Sequence, residues 1–313
     1  MTVSKAAGYQ NLGNGNFVPT IYSQKVLKFF RRASVVEDIT NTDYTGEIEN
    51  YGDTVNIITE PTVTVSAYYR GSVVNAQTLT DAQTTLTVDQ AFAFSFKVDD
   101  IEERHSHLNW ESIATSSGAY ALKKKYDANV FAAMISSSTK DATNLGISGT
   151  QISSMTTGDK VSDKMSVLSK LLDEGDVPSE NRWFVASPTF YEILGKSDSK
   201  LMDQSIVDSS KESPLRNGKI VQAPIRGFSV YKTNVFAKAS ATDVADTSKP
   251  SGTGADYYLL GGHMSSTATA SHIAKTEVVR DTESFADIVR GLHVFGRKVL
   301  RSGALYSGVL QHS

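Results

Sequence analysis

Residues 54–98 read TVNIITEPTVTVSAYYRGSVVNAQTLTDAQTTLTVDQAFAFSFKV, and their reading decides the fold. The run opens with Val55-Asn56-Ile57-Ile58-Thr59 and continues through Pro61-Thr62-Val63-Thr64-Val65. A second run starts near Thr84 and places Leu86, Val88, Phe92, Phe94, Phe96 and Val98 at alternate positions. That period of two is the signature of a strand with one apolar face. At ~3.3 Å per residue, the two arms of such a hairpin reach on the order of 50–60 Å. Between them lies a polar tip, residues 67–83, rich in Ser, Thr, Asn and Gln. A lone two-stranded hairpin is marginal in water. With a stripe of Phe on one face, it needs cover. No other β-rich stretch presents itself as that cover, so the expected one is a second copy of the chain. The expected contact residues are Val63, Val65, Tyr68, Arg70, Phe92, Phe94 and Phe96.

Composition narrows the function classes. The chain has 313 residues, 40% hydrophobic and 21% charged, with a formal charge of −3. The size suits one large domain or two modest ones, and the charge does not suggest bulk nucleic-acid binding. There is no cysteine, which excludes disulfides and thiolate metal sites. The start is polar, Gly- and Asn-rich, with no apolar core of a signal peptide. No apolar run approaches the length of a membrane span.

The remaining elements read as follows. Residues 1–18 form a Gly- and Asn-rich arm, and Pro19 opens a helix with Tyr22, Val26, Phe29, Phe30 and Ala33 on one face. Lys25, Lys28, Arg31 and Arg32 occupy the other, and no acidic residue precedes Glu37. That basic side is either a solvated helix face or a surface drawn to a polyanion. The acidic run 99–104 reads as a helix start. His105 and His107 lack a third ligand at usable spacing, so they are expected to be structural and not metal ligands. Residues 111–137 form the longest helix, roughly 40 Å at ~1.5 Å per residue, apolar on several sides and so packed from several directions. A Ser-, Thr- and Gly-rich boundary follows at 138–160. The helix carrying Val161, Met165, Leu168, Leu171 and Leu172 stops at Gly175. Trp183-Phe184-Val185-Ala186 reads as a buried strand, and Ser187-Pro188 caps the next helix. Strands are expected at 220–225, 228–236, 257–260, 273–279, 292–300 and 305–310.

The chemistry of an enzyme is missing. There is no P-loop, no Gly-rich dinucleotide turn after a strand, no G-x-S-x-G elbow and no H-E-x-x-H. No Ser, His and Asp are spaced so as to single out a triad. No catalytic, cofactor or metal residue is assigned.

This order of elements resembles the major capsid proteins of tailed double-stranded-DNA bacteriophages, which share the Hong Kong 97-type capsid fold with encapsulins and the herpesvirus floor domain. The stretch Phe17-Val18-Pro19-Thr20-Ile21-Tyr22-Ser23 is similar to the opening of that family's arm helix. Residues 39–48, followed by Gly52-Asp53-Thr54-Val55, resemble its entry to the E-loop. Val98-Asp99-Asp100 and Gly291-Leu292-His293-Val294-Phe295-Gly296-Arg297-Lys298-Val299 also fit. The resemblance covers essentially the whole chain. It implies an α+β fold with an N-terminal arm and helix (1–44), an E-loop (45–97), a P-domain with a spine helix (98–158), an A-domain (159–279) and C-terminal P-domain strands (280–313). It further implies self-assembly into hexamers and pentamers of an icosahedral shell around double-stranded DNA, with Lys25, Lys28, Arg31 and Arg32 facing the lumen or a neighbour. A separate scaffolding protein, a portal protein at one vertex and a decoration or cement protein are the implied partners; no membrane is involved. The implied location is the virion, assembled in the host cytoplasm. Some members cross-link through an E-loop Lys; residues 54–96 contain none, which closes that route here. Two alternatives stay open: an encapsulin-like compartment shell, and a free-standing enzyme or binding module.

Overall fold

A computed structural model of the chain describes residues 34–47, 51–61, 63–71, 73, 76–78, 82–99, 110–141, 143–146, 153–155, 158–195, 226–235 and 256–312. Strands β1 (Thr54–Thr59) and β2 (Ala82–Thr87) pair antiparallel, from Thr54↔Thr87 to Thr59↔Ala82. The hairpin is closed at its base by Val88 N–H donating to the Asp53 carbonyl and Gly52 N–H to that of Val88, both at 3.0 Å. Here the alternating run divides. Strand β3 (Gln90–Asp99) leaves the hairpin and pairs antiparallel with β10 (Ala286–Val299), from Gln90↔Phe295 to Asp99↔Ala286. With β9 (Thr267–Arg280) they form a sheet in the order β3-β10-β9.

This corrects the expectation that Phe92, Phe94 and Phe96 form the hairpin's uncovered stripe. They lie half-buried on β3, and their cover is their own chain: β10 and the helix α2 (Trp110–Ser137). Phe94 rests between two glycines. A β-carbon on Gly291 of β10 would stand 2.3 Å from its ring, and one on Gly118 of α2 would stand 2.8 Å away. No L side chain fits at such distances, so the ring occupies the space both glycines leave. Phe96 stacks on Phe94 with centroids 6.0 Å apart. Phe92 meets Phe295 at 5.8 Å, and Phe295 meets Tyr126 of α2 edge-on at 4.8 Å. The period of two announced the face correctly; it could not announce a partner strand nearly two hundred residues away.

The second sheet has the order β4-β11-β8-β6-β7, with β5 also on β11. Its members are β4 (Thr139–Lys140), β5 (Ser153–Met155), β6 (Arg182–Ala186), β7 (Ser229–Lys232), β8 (Asp256–His263) and β11 (Leu305–His312). All of β6 is buried, because both its faces are covered. Phe184 and Ala186 join Val161, Met165, Leu168 and Leu172 of α3 (Gly158–Glu174) and Phe190 and Ile193 of α4 (Pro188–Leu194). Trp183 and Val185 join Val130, Phe131 and Met134 of α2, together with Val36 and Ile39 of α1 (Val36–Ile39). Helix α2 thus touches the three-stranded sheet through Tyr126 and the six-stranded sheet through Phe131 and Met134. This is the packing from several sides that its sequence calls for.

The expected break at 279/280 falls at the β9–β10 turn, within a pair joined from Thr267↔Val299 to Asp287↔Arg280. Strand β9 therefore belongs with β3 and β10, while β11 belongs with β8 and β6. The expected strand 220–225, the acidic residues 100–104, His105, His107 and the basic set Lys25, Lys28, Arg31 and Arg32 lie outside the described residues.

Candidate functional site

The surface that stands out is the outer half of the β1–β2 hairpin. At its base, Leu86 and Val88 are fully buried against Ala268, Ala270 and Val294, with Val55 and Ile57 half-covered. This anchor fixes where the arm leaves the body. Beyond it, burial ends: Ile58 is 72% exposed, Val65 92% and Tyr68 67%, with Val63, Tyr69 and Val73 also exposed. Residues 63–69 are assigned to no strand. Thr64 N–H donates to Gln77 Oε1 at 3.0 Å, tying the two sides of the arm together. Gly71, at φ +89°, makes the turn after Arg70, where a β-carbon would be strained. The structure thus brings Val63, Val65, Tyr68 and Arg70 together on one exposed arm, and places Phe92, Phe94 and Phe96 elsewhere.

A second apolar group sits at the β9–β10 turn, where Phe285 is 79% exposed and Val278 and Val279 project nearby. The turn itself is well tied. Asp281 takes an ion pair from Lys97, a hydrogen bond from Ser284 Oγ at 2.6 Å and one from Glu283 N–H at 3.2 Å. Lys97 first, then Ser284, holds this carboxyl well below the usual carboxylate range. The sequence reading missed Phe285. Its signal was the turn-forming run Asp281-Thr282-Glu283-Ser284 directly before an aromatic residue.

Burial pushes the Tyr126 phenol up to about 12, against the effect of its hydrogen bond to Thr269. His293, between Tyr126 at 5.5 Å and Phe295 at 5.4 Å, is held below its ordinary value by desolvation. Among the described residues no three of His, Cys, Asp and Glu gather into a metal site, and no helix is long and apolar enough to cross a membrane. What the arm can do is bury apolar surface against something else. A run of exposed valines and tyrosines on a projecting segment is the composition of an interface.

No family model and no curated protein matches the sequence. Solved structures do. A structure from Mycobacterium phage Che8 has 24% identity and a TM-score of 0.77, over 94% of this chain and 97% of that one. The capsid structure of cyanophage P-SCSP1u has 15% identity and a TM-score of 0.68, over 95% and 93%. The mature capsid of bacteriophage PhiM1 has 14% identity and a TM-score of 0.65, over 94% and 92%. The chain has the fold of phage capsid structures along nearly its whole length, which is the α+β, Hong Kong 97-type fold that the sequence resembles.

Proposed function

We propose that this chain is the major capsid protein of a tailed double-stranded-DNA phage, assembling as hexamers and pentamers into an icosahedral shell around the genome. The observation that carries this reading is a fold shared with a phage capsid structure over 95% of this chain and 93% of that one. The projecting apolar arm supports it independently, because the chain by itself leaves Ile58, Val63, Val65 and Tyr68 in water. On this reading residues 54–87 are the working part of the E-loop. Strands β3, β9 and β10 join the spine helix α2 in the P-domain, and α3, α4, β6, β7 and β8 form the A-domain. The partners are further copies of the chain, a scaffolding protein, a portal protein, packaged DNA held without sequence preference and a decoration protein. No catalytic role is assigned, and the location is the virion, after assembly in the host cytoplasm. No observation favours the compartment-shell alternative.

The test is expression of the full chain with and without its neighbouring genes, followed by sedimentation and negative-stain microscopy. Closed particles of uniform diameter are expected. A chain that stays monomeric at high concentration, alone and with those genes, refutes the reading.

A further inference from the structure

The alternating run that holds Leu86, Val88, Phe92, Phe94, Phe96 and Val98 has one polar member, Gln90. It stands where β2 has ended at Thr87 and β3 begins. Side chains from several elements converge there. Gln90 Oε1 accepts from Asn129 Nδ2 of α2 at 3.2 Å. The Asp89 carboxylate accepts from Arg297 Nη1 of β10 at 3.2 Å. Tyr51, just before β1, donates its hydroxyl to the Asp89 carbonyl at 3.4 Å. Asp89 and Gln90 are thus held at the point where the chain stops following β1 and starts following β10.

The arrangement costs stability. Asn129 Oδ1 and Arg297 Nε are buried, and among the described residues neither has a hydrogen-bond partner. Each has given up water without recovering a bond. Leucines at 90 and 129 would continue the apolar stripe of Val88 and Phe92 and leave no amide oxygen unpaired. What they would lose is register. An unbroken apolar alternation from 86 to 98 keeps the same face after a slip of two residues, and so leaves open how far the hairpin ladder runs. Only one register sets Gln90 against Asn129 and Asp89 against Arg297. Fixing register at a cost in stability is the best-attested use of buried polar groups. Close packing does not do it on this side: a cleft of about 300 Å³ runs along α2, lined by Lys125, Ala128, Ala132 and Ala133 as well as by Asn129 and Arg297.

We propose that Gln90 with Asn129, and Asp89 with Arg297, form a register pin. The pin ends the β1–β2 ladder at Thr87, starts the β3–β10 ladder at Gln90, and so sets the direction in which the hairpin arm leaves the body. That this direction is needed for closed particles rests on the reading of the chain as a shell subunit.

The chain has no cysteine, so two introduced ones carry spin labels without ambiguity. Val65→Cys labels the arm, where Val65 is 92% exposed, and Ala93→Cys labels the exposed face of β3. Distances between the labels are measured by pulsed electron paramagnetic resonance on the unassembled full chain. One narrow distribution is expected with the pin intact. Gln90→Leu with Asn129→Leu should broaden or split it, while the urea midpoint rises by roughly 0.5 M. Asp89→Ala with Arg297→Met, which removes the other half of the pin, should broaden it as well. Both variants should lose closed particles of uniform diameter. A distribution that stays narrow and unshifted in both variants overturns the proposal, and so does a broad one with the pin intact. A fall in the urea midpoint of both variants, or failure of both to fold, shows that these groups hold the fold together and overturns it too. Normal particles from a variant whose distances have changed overturn the role given to the arm's direction. Failure of the wild-type chain to form particles overturns the shell reading, and the distances then decide the pin by themselves.

Discussion

The position of Phe94 makes a prediction that separates packing inside a subunit from contact between subunits. Gly291→Ala puts a methyl where the Phe94 ring now lies, 2.3 Å from its nearest atom. The φ of Gly291 lies outside the left-handed region, so the backbone accepts alanine and the whole cost is steric. The ring must move, and Phe96 stacked behind it and Gly118 in front leave little space. Overpacking of this kind costs about 1–3 kcal/mol. Phe94→Ala removes a half-buried ring and its stacking on Phe96. A fully buried Phe→Ala costs about 3–5 kcal/mol, so partial exposure brings this one to roughly 2–3 kcal/mol. In the double variant the alanine methyl enters space the ring has vacated. The two effects should therefore fall short of their sum by about 1–2 kcal/mol, a coupling typical of groups in contact. The assay is urea unfolding of the unassembled subunit by circular dichroism. With a slope of roughly 2 kcal/mol per molar urea, Gly291→Ala should lower the midpoint by about 0.5–1.5 M in the wild type and by much less in the Phe94→Ala background. Equal shifts in both backgrounds, or a silent Gly291→Ala, would show that the ring does not lie over Gly291 in the free subunit, and the correction to the Phe stripe would fall.

Replacing residues 60–81 with a short Gly-Ser turn should leave the last pair, Thr59↔Ala82, in place; the subunit should keep its circular dichroism spectrum but sediment without particles, and normal particles from it refute the arm's role. His293 and His263 are both held below their ordinary value, chiefly by desolvation. For a base with a depressed folded value the unfolded chain binds the extra proton, so stability is present above the unfolded value of about 6.5 and is lost as the pH falls below it. The urea midpoint should therefore drop from pH 7 to pH 5, with a shallower drop in His293→Gln; an equal slope in that variant removes His293 as a cause. Particles boiled in SDS should run as one band near 33.9 kDa with or without reductant, since the chain has no Cys and residues 54–96 hold no Lys; a ladder of multimers refutes this.

Much of the fold could be read locally. The spine helix, expected over 111–137, runs from Trp110 to Ser137, because its apolar positions and its lack of Pro make the helix a local matter. Pro188 opens α4 at its first turn, since Pro pre-sets the helical φ; Ser187 stands at the cap position, but its hydroxyl makes no capping hydrogen bond, against the expectation. The buried strand Trp183–Ala186 was visible in its unbroken apolar run. The exposed arm residues Val63, Val65 and Tyr68 were singled out because nothing nearby in sequence could cover them. The cleft on α2 was invisible, since it depends on which small residues of one helix face Arg297, far along the chain.

The sequence by itself determined which residues alternate, which coil and where apolar side chains fall. Only the tertiary structure decided what covers them. Val63 and Val65 follow the same alternation as Phe92, Phe94 and Phe96, and periodicity alone treats the two sets alike. Loop-closure entropy grows only with the logarithm of chain length, so pairing Phe94 with Gly291 costs roughly 1 kcal/mol more than pairing it across the long hairpin. The strand that fits the ring wins over the strand that is near. β10 and α2 supply glycines at the two points where the Phe94 ring needs space, and β1 supplies no such room. The Phe run was therefore taken into the subunit, and the valine run beyond Thr59 was left for another surface.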